Sequence, residues 1–544
     1  MKHSFNTLSD ILEYSSRVYA KRTTSDFVYG GQHYTYALFK ETSDRISAVL
    51  AAFGINASDK IAILSENMPN WGVAFFAITT NGRIAVPMLP EVSPNEVENI
   101  LAHSDTKAIF VSRKQLPKIS EQALKRLHIV IDINTFELIQ ADETKYTCNG
   151  TIKHPAPMDI AAIIYTSGTT GNAKGVMLSH RNFCANVEES WFVHRVSRKD
   201  VFLSILPLAH TYELSIGMLY PFARGASVYY IQKPPTPTIL MDAIRRIRPT
   251  TMLSVPLIIE KIVRSKVLPT INSSKFLSYF RDRMPAVLYW LVGSKLRKLF
   301  GGRIRFFGIG GARLDIEVER FLKKCRFPYA IGYGLTETAP LICDAGPKRT
   351  HPGSTGTASY GVSVRLSNVN LETGQGELQV KGPNVMLGYY KDYQRTRAVM
   401  TPDGWMRTGD MATVDKKGRF CILGRMGNVI IGASGENIYP EEIESVINNF
   451  AGVSDSLVIS RSGQLVALVQ FSEETIDWDL EGQDKFIESL EQKKKEVMDF
   501  VNSKVSMFLK IKEVEVVKEP FIKTATHKIR RFLYQENNDQ QKQF

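Results

Sequence analysis

The sequence predicts an α/β protein of several domains: a large N-terminal domain of layered α/β sheets that carries a small β-barrel-like subdomain, then a small α+β C-terminal domain. Three observations predict it. The chain has 544 residues, several times the ~150 of one compact unit. Residues 1–425 alternate strand-like and helix-like segments, the pattern of helices packed on largely parallel sheets. Residues 356–424 turn β-rich, and past Gly427 a new helix–strand–strand pattern starts. The chain therefore divides into 1–426 and 427–544, with the β-rich subdomain at about 356–424.

The elements follow in order. Ile61, Ala62, Ile63 and Leu64, and again Ala108, Ile109, Phe110 and Val111, are short apolar runs of the buried-strand kind. Between them Ser93, Pro94 and Glu96 form a capping box with proline at the first helical position. The apolar run 160–164 predicts a strand leading into a loop. Pro285 opens a helix with Val287, Leu288, Leu291, Val292, Leu296, Leu299 and Phe300 on one side, stopping at Gly301 and Gly302. Residues 362–366 and 376–380 read as strands of the subdomain. Pro440 opens a helix with Ile443, Val446, Ile447 and Phe450 on one face, and strands at 456–459 and 465–471 follow.

Composition narrows the function classes. Hydrophobic residues make up 44% and charged residues 23%, ordinary values for a soluble globular protein. No apolar run approaches the ~18 residues of a membrane span, and Met1 to Asn6 lack the apolar core of a secretory signal. Cys148, Cys184, Cys325, Cys343 and Cys421 are scattered, with no metal spacing, so reduced thiols and a cytoplasmic location are expected. A net charge of +13 suits anionic partners, either phosphate-rich ligands or an anionic membrane surface met peripherally at its inner face. No nucleic-acid module is present, so nucleic acid is not expected.

Residues 165–176, after the apolar run, carry the chemistry. Gly168, Gly171 and Gly175 let the backbone approach a ligand. Thr166, Ser167, Thr169 and Thr170 offer hydroxyl donors, and Lys174 adds a cation: a phosphate cradle. It is not a Walker loop, because no second glycine falls at the spacing that loop requires. The bland alternative is a surface hairpin rich in Ser, Thr and Gly.

This run resembles the signature loop of the adenylate-forming, acyl-activating superfamily, and within it the chain is similar to long-chain fatty-acid–CoA ligases. The resemblance extends from Tyr34-Thr35-Tyr36 to Lys528-Ile529-Arg530-Arg531, with the family's motifs in order. It implies that 1–426 is an AMP-binding, adenylation domain and that 427–544 is a mobile domain carrying a catalytic lysine. The reaction implied is ATP-dependent activation of a medium- or long-chain fatty acid to acyl-AMP, then thioester formation with CoA, releasing AMP and pyrophosphate. ATP, Mg²⁺ and CoA are the cofactors implied. An acyl-carrier protein as acceptor, or an aromatic or short acid as substrate, are the alternatives, and a non-catalytic lipid- or nucleotide-binding relative is a distant one.

The same resemblance assigns roles. Tyr333, Gly334 and Thr336 hold base and α-phosphate, while Glu337 is the catalytic metal ligand, a hard oxygen suited to Mg²⁺. Gly311 and Ala312, in the run Gly308 to Arg313, line the adenine. The family often has proline where Arg313 stands. Asp410 accepts from the ribose hydroxyls and Arg425 contacts ribose and phosphate. His210, in Pro207-Leu208-Ala209-His210-Thr211-Tyr212-Glu213, sits beside the acyl carboxylate. Lys528 is the catalytic cation between carboxylate and α-phosphate. The hinge falls at Gly427, where the family usually has Asp or Lys.

Overall fold

The computed structural model describes residues 4–146, 150–167, 173–233, 236–273, 283–432, 437–461, 463–472, 475–476, 483–524 and 528–535. Among them the strands form a nine-stranded and an eight-stranded sheet, a four-stranded antiparallel sheet, and smaller sheets of two and three strands. In the nine-stranded sheet the parallel run is Tyr329–Gly334, Phe306–Ile309, Thr251–Ser254, Val201–Ser204, Ser227–Tyr230 and Thr23–Phe27. In the eight-stranded sheet it is Ile160–Ser167, Ile84–Met88, Lys60–Leu64, Thr106–Val111 and Ile129–Asp132. Both sheets are antiparallel only towards their edges, as the alternating sequence pattern predicts.

Local chemistry sets the helix starts. The Ser93 hydroxyl accepts from the Glu96 N–H while the Glu96 carboxylate accepts from the Ser93 N–H, with Pro94 at the first turn of helix Pro94–His103. The helix Pro69–Thr79 is buried on every side, because it is sandwiched rather than amphipathic. Helix Pro285–Leu299 forms where expected and turns Leu288, Val292 and Leu296 inward. Gly293 meets the end of helix Ile316–Lys324 closely: a Cβ there would lie 2.0 Å from the Cys325 carbonyl oxygen.

The β-rich subdomain differs from expectation. Ser363–Ser367, Gly376–Lys381, Met406–Val414 and Phe420–Arg425 form an open four-stranded antiparallel sheet, with no closed barrel among the described residues. Four strands are too few to bend a sheet onto itself, and one face is covered by the large core instead: Leu378, Val380, Met406 and Ala412 are buried in it.

From residue 430 onward a separate core forms. Helix Pro440–Ile447 and helix Gln483–Asn502 cover the sheet Val453–Arg461, Gln464–Phe471 and Glu513–Val516, burying Ile443, Ile447, Val469, Val497 and Val501. Polar contacts tie this unit to the large one, among them a hydrogen bond from the Tyr439 hydroxyl to Gln375 Oε1 at 3.0 Å. The Asn449 amide donates to Asp315 Oδ2 at 2.6 Å, and Arg530 lies 3.3 Å from the Glu96 carboxylate.

Candidate active site

In open parallel sheets ligands gather beyond the carboxyl ends of the strands. Thr166, His210, Gly311, Ala312, Tyr333 and Glu337 lie there, at or just after the ends of strands Ile160–Ser167, Val201–Ser204, Phe306–Ile309 and Tyr329–Gly334. Strand Ile160–Ser167 pairs antiparallel with Ala173–Ser179, with Thr166 opposite Lys174, so the two ends of the phosphate-cradle run lie side by side. Gly168, Thr169, Thr170 and Gly171 lie outside the described residues, as does the side chain of Ser167. The Thr166 hydroxyl is buried and makes no hydrogen bond among the described residues, which leaves it as a donor for a ligand.

Helix His180–Val193, capped by Ser179, fixes the opposing turn. Its Asn186 amide donates to the Thr338 carbonyl at 3.0 Å and its Oδ1 accepts from the Leu341 N–H at 3.0 Å. That turn presents Thr336 and Glu337. Gly334 is obligatory before it, since a Cβ would lie 1.7 Å from the Pro340 carbonyl oxygen.

The two sheets meet through charge. Lys174 Nζ lies 2.7 Å from Glu337 Oε1, and the Tyr389 hydroxyl, 2.9 Å from that ammonium, donates to the same carboxylate oxygen at 2.8 Å. The ammonium also sits over the Tyr389 ring, 4.6 Å from its centre. Burial pushes the Glu337 carboxyl up, but the Lys174 cation and these bonds outweigh it and hold the group below the ordinary carboxylate range. Tyr389 escaped the sequence reading. It is placed by a two-residue strand, Gly388–Tyr389, that adds to the edge beside Val176 and Met177. A Gly-Tyr pair carries no signal for such a role.

A second cluster lies on the four-stranded sheet. Asp410 and Arg425 are cross-strand partners, and Arg425 Nε lies 2.8 Å from Asp410 Oδ1. The Tyr333 hydroxyl donates to Asp410 Oδ2 at 2.5 Å. Burial raises the Asp410 pKa against the pull of Arg425. Gly311 and Ala312 are exposed in the loop after Phe306–Ile309 and make no hydrogen bond to either cluster.

His210 stands on the loop after Val201–Ser204. Asn67 holds that loop, accepting from the Leu208 N–H at 2.8 Å and donating to the Leu206 carbonyl at 2.6 Å. Burial, helped by the Lys528 charge, lowers the His210 pKa to about 4. The Tyr212 N–H donates to its Nδ1 at 3.3 Å, which leaves Nε2 as the protonated donor of a neutral ring.

Lys528 is held by its neighbours: the Thr524 N–H donates to the Lys528 carbonyl at 2.8 Å and Lys523 pairs with Ile529. The residue keeps a solvent-facing surface while its ammonium is crowded by the cleft, and no carboxylate of the described residues is within ion-pair distance. Burial and the nearby Arg425 guanidinium lower its pKa, while Asp410 and Glu337 oppose them. Lys528, though it comes from the small unit, thus sits within the field of all three clusters. Gly427 lies two residues beyond Arg425 in a short turn, Met426–Asn428, and among the described residues nothing crowds the place a Cβ would take.

Comparison with known proteins places this arrangement. Residues 13–390 match the AMP-binding enzyme family. The chain is 31% identical over 527 residues to long chain acyl-CoA synthetase 7, peroxisomal, of Arabidopsis thaliana, covering 87% of this chain and 74% of that protein. It is 28% identical to long-chain-fatty-acid–CoA ligase 1 of Homo sapiens over 81% of this chain and 70% of that one. In fold it superposes on O-succinylbenzoate coenzyme A synthetase of Bacillus subtilis in complex with AMP with a TM-score of 0.76, 22% identity, and 98% of each chain covered. The chain belongs to the AMP-binding enzyme family.

Proposed function

We propose that the protein joins a medium- or long-chain fatty acid to CoA through an acyl-AMP, converting ATP to AMP and pyrophosphate. The observation that supports this best is the convergence of Lys528 on the cleft already lined by Lys174, Glu337, Asp410 and Arg425. The relatives' names support the acid and the acceptor.

In the first step the carboxylate attacks the α-phosphorus, a C–O–P linkage forms, and the bond to pyrophosphate breaks. Lys174 and the Thr166 hydroxyl grip the phosphates, together with residues Ser167, Gly168, Thr169, Thr170 and Gly171. Tyr333 and Gly334 face the base, with Gly311 and Ala312 opposite, and Thr336 reaches the α-phosphate. Asp410 accepts from the ribose hydroxyls and Arg425 adds a cation beside them. Lys528 offsets the charge shared by carboxylate and α-phosphate as they approach. His210, neutral with Nε2–H free to donate, orients the carboxylate rather than moving a proton. Among the described residues no group of three metal ligands exists. Glu337, ionised and facing the phosphate cradle, fits Mg²⁺ in the usual manner of one carboxylate shared with phosphate oxygens, and the ion would supply charge neutralisation there.

In the second step the CoA thiolate attacks the acyl carbonyl and AMP leaves. We place the domain boundary at 426/427 and the hinge at Gly427, so that rotation withdraws Lys528. No helix of the described residues is long and apolar enough to cross a membrane. We assign any membrane contact to the exposed side of helix Pro285–Leu299, where Trp290, Lys295 and Lys298 stand. The deciding experiment is ATP–pyrophosphate exchange over a panel of acids, repeated for AMP release with CoA and with acyl-carrier protein. Exchange independent of any fatty acid would overturn the reading, and AMP release with carrier protein alone would reassign the acceptor.

A further inference from the structure

Behind the cleft one face of the nine-stranded sheet is graded from small to large side chains. Gly310, Gly308 and Phe306 share a face, since alternate residues of a strand point the same way. The register sets Leu253 and Ala330 beside Gly308, and Thr251 beside Phe306. Descending from the site, the face therefore reads glycine, glycine, then a phenyl ring. The distance from Gly310 to Phe306 is roughly 13 Å at ~3.3 Å per residue.

A cavity of ≈ 30 Å³ lies on this face, walled by Tyr212, Ile216, Leu253, Gly308, Gly332 and Leu341, with almost nothing but carbon exposed to it. It adjoins the site, because Tyr212 is two residues from His210 and Gly332 immediately precedes Tyr333. Tyr212 covers its upper end: a Cβ on Gly308 would lie 2.8 Å from the Tyr212 hydroxyl. That hydroxyl makes no hydrogen bond among the described residues, so nothing polar opposes its turning aside.

At the lower end the His194 ring stacks on Phe306, centroids 4.5 Å apart and planes 18° from parallel. His194 Nε2 is 3.4 Å from the Thr251 hydroxyl, and the His194 carbonyl accepts from the Tyr220 hydroxyl. Burial draws His194 down to about 4, so at neutral pH the stack is uncharged. We infer that the Phe306–His194 stack is the floor of the acyl pocket and sets the longest acid the enzyme accepts, an inference that rests on the fatty-acid reading above.

The test measures kcat/KM for pyrophosphate exchange with even-numbered saturated acids from butanoate to octadecanoate, using the full chain. Phe306→Ala should raise the ratio of long to medium acids by about tenfold or more, the scale set by a methylene in an apolar pocket. Gly308→Val, whose Cβ would lie 2.9 Å from Phe306 Cε1, should move the optimum to shorter acids. Should Phe306→Ala fail to fold, His194→Ala opens the same floor and should shift the profile in the same direction. An unchanged chain-length profile in the folded floor variants, or a uniform loss across all acids, overturns the floor alone. No exchange with any acid in the unaltered protein overturns the functional reading instead.

Discussion

Single residues decide two outcomes. Lys528 faces the cleft without a carboxylate partner, and in the proposed mechanism its charge matters only while the carboxylate attacks. Lys528→Ala should therefore slow acyl-AMP formation by about a hundredfold or more, the scale of one lost electrostatic contact at a transition state. Thioester formation from supplied acyl-AMP should be nearly unchanged, and equal loss in both half-reactions would remove the assignment. Glu213 is the opposite case, a carboxyl buried beneath the His210 loop. Its Oε2 has no hydrogen-bond partner, and burial lifts its pKa to about 8. The unfolded chain releases this proton near 4.5 and the folded chain only near 8. Between those values the native state binds more protons, so this group makes stability fall as pH rises, and its effect levels off above 8. Glu213→Gln should flatten that slope by up to a few kcal/mol across the window. Thermal melts of both proteins from pH 5 to 8.5 check it, and parallel curves would show that the group is not buried as described.

At the scale of elements, much was legible because local chemistry and burial agree. The Ser93 capping box, the strands at 61–64 and 108–111 and the helix opened by Pro285 all form as their patterns predict. What failed depends on contacts distant in sequence. The barrel-like subdomain is an open sheet because the large core covers the face that closure would have buried. Tyr389 joins the site only through an edge strand pairing with residues more than two hundred positions earlier. The turn Met426–Asn428 is short, solvent-facing and uncrowded at Gly427. Gly427→Pro fixes φ where rotation is proposed, so CoA-dependent turnover should drop by about tenfold or more. Pyrophosphate exchange should stay near normal, and stopped-flow assays of each half-reaction distinguish the two. Wild-type rates in both would move the hinge elsewhere.

For the whole molecule, the net charge of +13 is not spread evenly in use. Arg264 pairs with Asp315 and Arg305 with Asp200, and Arg297 donates to the Arg326 carbonyl. Those cations are structural, which the sequence could not reveal because their partners, two carboxylates and one backbone carbonyl, lie far away along the chain. On helix Pro285–Leu299 the apolar residues Leu288, Val292 and Leu296 are taken up by the protein's own core, so a lipid surface would meet the exposed side where Trp290, Lys295 and Lys298 stand. Replacing Lys295 and Lys298 with Gln should weaken binding to anionic vesicles by about 2 kcal/mol, roughly thirtyfold at low salt. Turnover of soluble acids should be unaffected, and unchanged co-sedimentation would exclude the patch.

The Lys174–Glu337 pair has a consequence for selectivity. Each charge already has a partner 2.7 Å away, so a simple anion arriving alone would strip the lysine from its carboxylate and leave that carboxylate stranded in a largely buried place. A divalent metal alone would strand the lysine. Only a ligand that brings phosphate and metal together offers both groups a replacement at once. Under the proposed mechanism the pair would therefore favour the metal–nucleotide complex, taken as a unit, over free phosphate or free magnesium.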